Sequence, residues 1–151
     1  MTSRHFATGF TGSACGLCTS VFHGVKRDLS ERELAYFTEI DFLRHVALVA
    51  ALVEDDGEHL IGVGRYIESD PTQPIRCAEV AFAVDEDHQG LGVGSLLLQH
   101  LARIAVVQGI EEFTAFVLSE NQAMVDVFEH SGFPVRQVFG SGVLQLSITL
   151  R

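Results

Sequence analysis

The run from His88 to Ser95 contains three glycines, Gly90, Gly92 and Gly94, between two apolar segments. Glycine tolerates positive φ and has no side chain to block a ligand, and the first N–H groups of a following helix have no partner inside that helix. A turn of this kind exposes backbone amides that can hold a phosphate group. The run therefore predicts a site for a phosphorylated cofactor.

The residues that follow these glycines argue against two common phosphate motifs. A P-loop requires Lys and then Ser or Thr after its last glycine, whereas Gly94 is followed by serine and leucine. A dinucleotide-binding fingerprint requires an acidic residue at the end of the next strand, where this chain has Val117 and Leu118. The residues Gln89, Gly92 and Gly94 instead fit the pattern Gln-x-x-Gly-x-Gly.

Two of the three cysteines, Cys15 and Cys18, form a C-x-x-C. A thioredoxin-like redox site would follow a strand in a βαβ unit, and a closed zinc site needs four ligands, which His23 and Cys77 would complete only if the fold brought them together. We expect ordinary thiols and no metal site. A thiol or metal module remains the weakest functional hypothesis.

The composition limits the classes of partner. A chain of 151 residues fits one domain, residues 1–151, with its own core. The net charge of -10 argues against sequence-independent binding of nucleic acid and suits a cationic substrate, although carboxylates also serve solubility. No apolar run is long enough to cross a bilayer and residues 1–10 lack a secretory signal, so we expect a cytoplasmic protein without membrane partners. The oligomeric state is open, a homodimer being one option.

Hydrophobic periodicity and turn residues divide the chain into short elements. Helices are predicted at residues 30–40, from Val93 to a stop at Gly109, and from Asn121 to Gly132. Strands are predicted at residues 45–54, 59–68, 77–84, 113–117, 134–139 and 143–150. The first two and the last two strands should form hairpins.

The order of these elements predicts the fold class. A hairpin, a strand, a helix, a strand, a helix and a hairpin are typical of an α/β or α+β layered domain with a mixed sheet. The helix after the glycines joins two strands that should be parallel.

The pattern at Gln89, Gly92 and Gly94 resembles the pyrophosphate loop of the GNAT N-acetyltransferase superfamily, which binds acetyl-CoA. A second GNAT signature is an Asn that opens a helix ending in Gly-Phe, and the residues at its spacings are Asn121, Met124, Phe128, Gly132 and Phe133. Segments 78–84 and 117–121 are similar to those of bacterial protein lysine acetyltransferases. The resemblance covers residues 29–135, and residues 1–28 diverge.

This resemblance implies a mostly antiparallel central sheet flanked by helices, with a parallel pair of strands splayed at the acyl-CoA site. It assigns the role of general base to Glu79, and the backbone of Phe82, Ala83 and Val84 would run beside the pantetheine arm. Asn121 would bond the pantetheine amide or act as a plain helix cap. The other residues assigned to the cofactor are Gln89, Gly90, Leu91, Gly92, Val93, Gly94, Ser95 and Phe128.

A general base is needed because a lysine with its ordinary pKa of about 10.4 is almost wholly protonated at pH 7. Glu79 lies in an apolar strand, where small residues such as Ala81 share its face and burial would raise its pKa. The alternative is a rim carboxylate paired with Arg65 or Arg76.

Two departures from the family pattern affect the expected site. Phe128 stands where many GNAT enzymes carry a Tyr that protonates the departing thiolate, so water would have to serve. Leu91 and Val93 occupy loop positions where basic residues are common. Cofactor binding would therefore depend on backbone amides, with Arg103 as a candidate side chain.

Besides the thiol or metal module, two classes of function remain. The first is an acetyl-CoA-dependent N-acetyltransferase whose acceptor is a protein lysine or, alternatively, a small cationic amine. The second is a non-catalytic sensor module that binds acyl-CoA without turnover.

Overall fold

The computed structural model describes residues 43–151. The predicted helix at residues 30–40 and the thiols of Cys15 and Cys18 lie outside this range. The strands are β1 (His45–Glu54), β2 (Gly57–Glu68), β3 (Cys77–Val84), β4 (Glu112–Leu118), β5 (Val135–Gly140) and β6 (Val143–Thr149), and the helices are α1 (Val93–Val107) and α2 (Gln122–Glu129).

The six described strands form one sheet in the order β1-β2-β3-β4-β6-β5. Neighbouring strands are antiparallel except β3 and β4, which are parallel and joined through α1. The mixed, mostly antiparallel α/β fold is therefore confirmed. A parallel pair needs a long crossover because its two strands start at the same edge of the sheet, and α1 provides it.

Both predicted hairpins are present. Glu54 and Gly57 close the β1–β2 pair, and Gly140 and Val143 close the β5–β6 pair. The second turn has positive φ at both central residues, 52° at Ser141 and 78° at the following glycine. This is the backbone of a type I′ turn, whose twist matches the twist of paired strands.

The helices follow their predicted starts. α2 begins after Asn121, whose side-chain oxygen accepts a hydrogen bond from the Met124 N–H at 3.2 Å. Its end differs slightly from the prediction, since the helix stops at Glu129 rather than at Gly132. The reason is local: the Ser131 N–H bonds back to the Phe128 carbonyl, which tightens the last turn before the glycine.

The core lies between α1 and the sheet. Its fully buried helix residues include Leu98, Leu101 and Ala105, and β4 is buried on both faces from residue 113 to residue 117. The strand predicted at residues 113–117 is therefore confirmed as β4. Neither described helix combines the length and apolarity needed to span a membrane.

Candidate active site

The two parallel strands separate directly after Glu79. β3 and β4 pair at only three positions, Cys77 with Glu112, Ala78 with Phe113, and Glu79 with Thr114. β3 then runs on to Val84, and β4 runs on to Leu118, without further pairing between them. The backbone of β3 that faces β4 beyond Glu79 therefore has no strand partner there.

An inner cleft lies in the gap between the separated strands. Its lining comes from both strands and from α2: Val80, Ala81, Phe82, Ala115, Phe116, Val117, Asn121, Met124 and Phe128. The cleft is narrow, about 10 Å³, which is roughly the space of one water molecule. Entry of a ligand would require a side chain to move. Met124 is the lining residue best suited to this, because methionine is unbranched and changes conformation readily.

Glu79 stands at the closed end of this gap, one residue before the lining begins. It is partly buried, and burial is the main cause that raises the pKa of its carboxyl above the ordinary value. The nearby positive charge of Arg65 opposes this effect and lowers the pKa. The net direction is upward, toward the range in which a carboxylate accepts protons near neutral pH.

The two arginines named as alternative partners of Glu79 act differently. Arg76 pairs with Glu68, at 2.7 Å from Nη2 and 2.8 Å from Nε to Oε1, and its Nη1 donates to the Gln108 carbonyl. Arg65 acts on Glu79 through its positive charge, which lowers the pKa of the carboxyl. The Glu68 side chain is almost fully buried, and Arg76 compensates its charge, because an unpaired buried carboxylate would be costly.

An outer cleft of about 380 Å³ opens beside the glycine turn. This volume is typical of ligand pockets. The lining joins the turn to α2: Val84, His88, Gln89, Gly90, Gly92, Val93, Gly94, Ser95, Asn121, Ala123, Met124, Asp126, Val127 and His130.

The three glycines of the turn have two different structural roles. Gly90 and Gly92 have φ of 74° and 86°, a conformation that other residues adopt only with strain. Gly94 lies in the first turn of α1, where a Cβ atom would lie 3.2 Å from Cγ2 of Val127. Gly94 therefore lets α1 approach α2, and the other two bend the chain.

The start of α1 presents backbone amides beside this cleft. The Leu96 N–H already bonds to the Gly92 carbonyl at 2.9 Å, whereas the first amides of a helix, here those of Val93, Gly94 and Ser95, have no acceptor within it. Gln89 ties the turn to β3 because its Nε2 donates to the Val84 carbonyl at 3.2 Å. The arrangement suits an anion such as a phosphate.

Asn121 and Met124 line both clefts and so mark their junction. The cap interpretation of Asn121 is confirmed by its bond to the Met124 N–H. That bond uses the side-chain oxygen, which leaves the amide nitrogen as a donor. Capping and ligand binding are therefore compatible in one side chain.

Phe128 is almost fully buried and contacts Phe82, with ring centroids 5.8 Å apart. The two rings form part of the wall of the inner cleft. A phenyl ring cannot donate a proton, so the acid function of the family's Tyr has no counterpart at this position.

The structure separates the predicted site residues into groups. Phe82, Asn121 and Phe128 line the inner cleft, and the residues from Gln89 to Ser95 line the outer cleft except for the exposed Leu91. Ala83, like Glu79, lines neither cleft. The lining residues that sequence reasoning missed come from β3, β4 and the α2 region: Val80, Ala81, Ala115, Phe116, Val117, Ala123, Met124, Asp126, Val127 and His130. Of these, Met124 could have been found, because it lies three residues after Asn121 and so on the same face of the helix.

One group of three potential metal ligands occurs among the described residues, at the tip of the β1–β2 hairpin. The Nε2 atom of His59 is 2.8 Å from Asp56 Oδ1 and 3.6 Å from Glu54 Oε2. Both carboxylates are exposed and none of the three residues lines either cleft. The cluster is therefore separate from the candidate active site.

Comparison with known proteins agrees with this geometry. The model of the acetyltransferase (GNAT) family matches residues 19–133. The acetyltransferase Pat of Mycolicibacterium smegmatis is 33% identical over 99 residues, and an acetyltransferase of Pseudomonas aeruginosa is 31% identical over 113 residues. These matches cover 66% and 74% of this chain, but the chain spans only 28% and 59% of the length of those relatives.

A solved structure supports the same assignment. The GNAT domain of PAT from S. lividans is 36% identical, with a TM-score of 0.72, and the match covers 83% of this chain and 72% of that one. The family match spans most of the sequence, and the structural match agrees with the mixed sheet described above. The chain therefore belongs to the acetyltransferase (GNAT) family.

Proposed function

We propose that this protein transfers an acetyl group from acetyl-CoA directly to an amine, with Glu79 as the general base and a protein lysine as the acceptor. One observation carries the proposal. The parallel strands part directly after Glu79, and β3, still paired with β2, leads into the glycine turn, so that the candidate base and the candidate anion site lie at the two ends of a strand whose edge toward β4 is open.

The length of that strand suits an extended cofactor. Five residue steps separate Glu79 from Val84, which corresponds to about 16 Å of extended chain. The pantetheine arm would lie along Phe82, Ala83 and Val84 as an added strand and accept hydrogen bonds from backbone N–H groups. One such N–H would polarise the thioester carbonyl. Met124 would move to admit the arm into the narrow inner cleft.

The glycine turn would hold the pyrophosphate. The amides of Val93, Gly94 and Ser95 offer donors at the start of α1, and the helix dipole favours negative charge there. The Asn121 amide nitrogen lies at the junction of the clefts and would donate to a pantetheine carbonyl.

The reaction would proceed in a ternary complex. The acceptor ammonium gives one proton to Glu79, directly or through one water. The amine nitrogen then bonds to the acetyl carbon, and the carbon–sulfur bond breaks. The second proton of that nitrogen passes through water to the leaving thiolate, which needs little help because a free thiol has a pKa near 8.5. Glu79 returns its proton to solvent.

Two features support a protein lysine as the acceptor. Segments 78–84 and 117–121 are similar to those of bacterial protein lysine acetyltransferases, and the net charge of -10 favours a cationic partner. The chain itself contains one lysine, Lys26. Acetylation of a lysine side chain of this chain by itself is therefore confined to Lys26.

The test is an acetyl-transfer assay of the full chain with acetyl-CoA, read by release of free thiol and by mass spectrometry. Lysine-containing peptides form one set of acceptors and small amines form the other. We expect faster transfer to the lysine peptides. The variant Lys26→Arg serves as the background control, because any signal that it removes is self-acetylation.

Each other outcome contradicts part of the proposal. Transfer to small amines alone overturns the lysine acceptor while it keeps the enzyme. Binding of acetyl-CoA without transfer to any acceptor overturns catalysis and leaves the sensor module. Calorimetry with acetyl-CoA, measured on the same preparation, separates this second outcome from a protein that fails to bind.

A further inference from the structure

The outer cleft lacks the side chains that usually neutralise phosphates. Its described lining includes no Lys and no Arg. The ionisable residues among that lining are His88, Asp126 and His130, and only the two histidines can become positive. Leu91 and Val93, which stand where basic residues are common, add no charge. Any cationic contribution from the described lining must therefore come from histidine.

His88 is held in a defined orientation by a buried carboxylate. Its Nδ1 lies 2.9 Å from Oδ2 of Asp85, whose side chain is only 6% exposed. Asp85 is itself fixed to the sheet, because its N–H donates to the Ile61 carbonyl at 2.8 Å. A carboxylate only accepts hydrogen bonds when ionised, so Nδ1 carries a proton and Nε2 remains for a ligand.

His130 has a similar arrangement at the end of α2. Its Nδ1 lies 2.9 Å from the Asp126 carbonyl, which is an obligatory acceptor. Nδ1 therefore donates here too, and Nε2 is again the second polar atom of the ring. The two histidines line the same cleft from different elements, one from the turn before α1 and one from α2.

We propose that His88, oriented by Asp85, binds a phosphate group of acyl-CoA through Nε2, with His130 as a second donor, and that acyl-CoA affinity therefore falls as the pH rises. The inference rests on the proposed function, because it concerns the phosphates of the same cofactor. In this proposal the two histidines take the place of the basic side chains that are common in the loop.

The pH dependence follows from the fixed proton on Nδ1. A neutral imidazole has one N–H, and if Nδ1 carries it, Nε2 is a bare acceptor that repels a phosphate oxygen. Only the imidazolium donates from both nitrogens, and histidine changes charge between about pH 5 and pH 8. The charged groups around His88 are Asp85, Glu86 and Asp87 of its own turn, and Asp126 and His130 from α2.

The test measures binding of dephospho-CoA to the full chain by isothermal titration calorimetry at about pH 5.5 and about pH 8. This probe lacks the 3′-phosphate, a monoester that would itself change charge near pH 6. We expect affinity to fall about tenfold over this range, because the imidazolium contacts are lost. In His88→Gln most of that change should disappear, with affinity at both pH values close to that of the unchanged protein at high pH.

A second variant and a control keep the result interpretable. His88→Arg carries a permanent charge and should bind dephospho-CoA more tightly than the unchanged protein at about pH 8, with little pH dependence. His100→Gln removes an exposed histidine of α1 that does not line the cleft, and it should keep the original profile. His130→Gln should remove a smaller part of the pH dependence.

Two results would overturn the inference alone: affinity that does not change with pH, or a His88→Gln profile equal to that of the unchanged protein. Absence of binding at both pH values would instead contradict the proposed function, since the anion site itself would then be missing. The two failures are therefore distinguishable in one data set.

Discussion

The two clefts of this protein are built in opposite ways. The inner cleft exists because two strands stop pairing after Glu79, and its walls are apolar side chains of the sheet and α2. The outer cleft exists because glycines bend the chain before α1, and its lining includes the backbone at the start of α1 and two histidines. Under the proposed function, proton transfer and cofactor anchoring belong to separate structures, which meet at Asn121 and Met124.

This separation predicts that substitutions affect either turnover or cofactor affinity. A change at the closed end of the inner cleft should alter the catalytic step, because Glu79 is the partly buried carboxylate there. A change in the glycine turn should alter acetyl-CoA binding, because the turn contributes position and amides but no reacting group. Measuring both turnover and acetyl-CoA affinity for variants of both kinds tests whether the two functions are separate.

The largest expected effect belongs to Glu79→Gln. Loss of a general base should lower kcat by about 10²–10⁴, while the Kd for acetyl-CoA stays within about twofold of the original value. Steady-state kinetics and calorimetry measure the two quantities. The matched control is Glu112→Gln, which makes the same change on β4, opposite Cys77 in the paired part of the strands, and should keep its activity. Normal turnover by the Glu79→Gln variant would contradict the assignment of Glu79 as the general base.

The next effect concerns the backbone of the glycine turn. Gly92→Ala should raise the Kd for acetyl-CoA about tenfold, because a side chain at φ of 86° costs about 1–2 kcal/mol and the loop would relax away from the phosphate-binding shape. The turnover of bound substrate should change little. Gly142→Ala is the control, since it places the same strain, at φ of 78°, in the β5–β6 turn. Equal weakening of acetyl-CoA binding by both variants would contradict a role of the turn in anchoring.

Asn121 tests the junction between the two clefts. Asn121→Asp keeps an oxygen for the Met124 N–H but lacks the amide donor, so we expect normal stability and a KM for acetyl-CoA raised about threefold to tenfold. Asn121→Ala lacks both groups and should also lose about 1 kcal/mol of stability. Thermal unfolding and kinetics measure the two effects. If the Asp variant binds acetyl-CoA like the original protein, the side chain is only a cap.

The smallest effect is on stability. Because burial raises the pKa of Glu79 in the folded state, its ionisation opposes folding, and that part of the stability is present at low pH and lost as the pH rises through the raised pKa. Glu79→Gln should therefore raise Tm at about pH 8 by an amount of order 1 °C, and the gain should vanish at about pH 4. A gain of the same size at both pH values would indicate a packing effect instead.

The parts of this protein that were predictable from sequence are local. The hairpin turns, the start of α1 at the glycines and the cap at Asn121 depend on residues close together in the chain, and each prediction is confirmed. The end of α2 shows the limit of this reasoning. The last helical turn tightened before the positive φ at Gly132, so the helix is three residues shorter than the glycine suggested.

For the site, the sequence predicted which residues take part and their order along the chain, but not how they are arranged in space. The sequence predicted a parallel pair joined through α1, but the three positions at which β3 and β4 pair depend on how both strands pack in the sheet. The partner of Arg76 also depends on the fold. Arg76 pairs with the buried Glu68 because the antiparallel pairing of β2 and β3 brings these two residues together. An unpaired buried carboxylate would be costly.

By itself, the sequence determined the elements, the turn that exposes amides and the family signatures, because glycine conformations, capping and hydrophobic periodicity act over a few residues. Only the tertiary structure decided where the strands part, which residues line each cleft and which histidines share the outer cleft. Those features arise from contacts between residues far apart in the chain, and no local pattern encodes them. The glycine turn is thus a local feature, whereas its partner wall on α2 is a product of the fold.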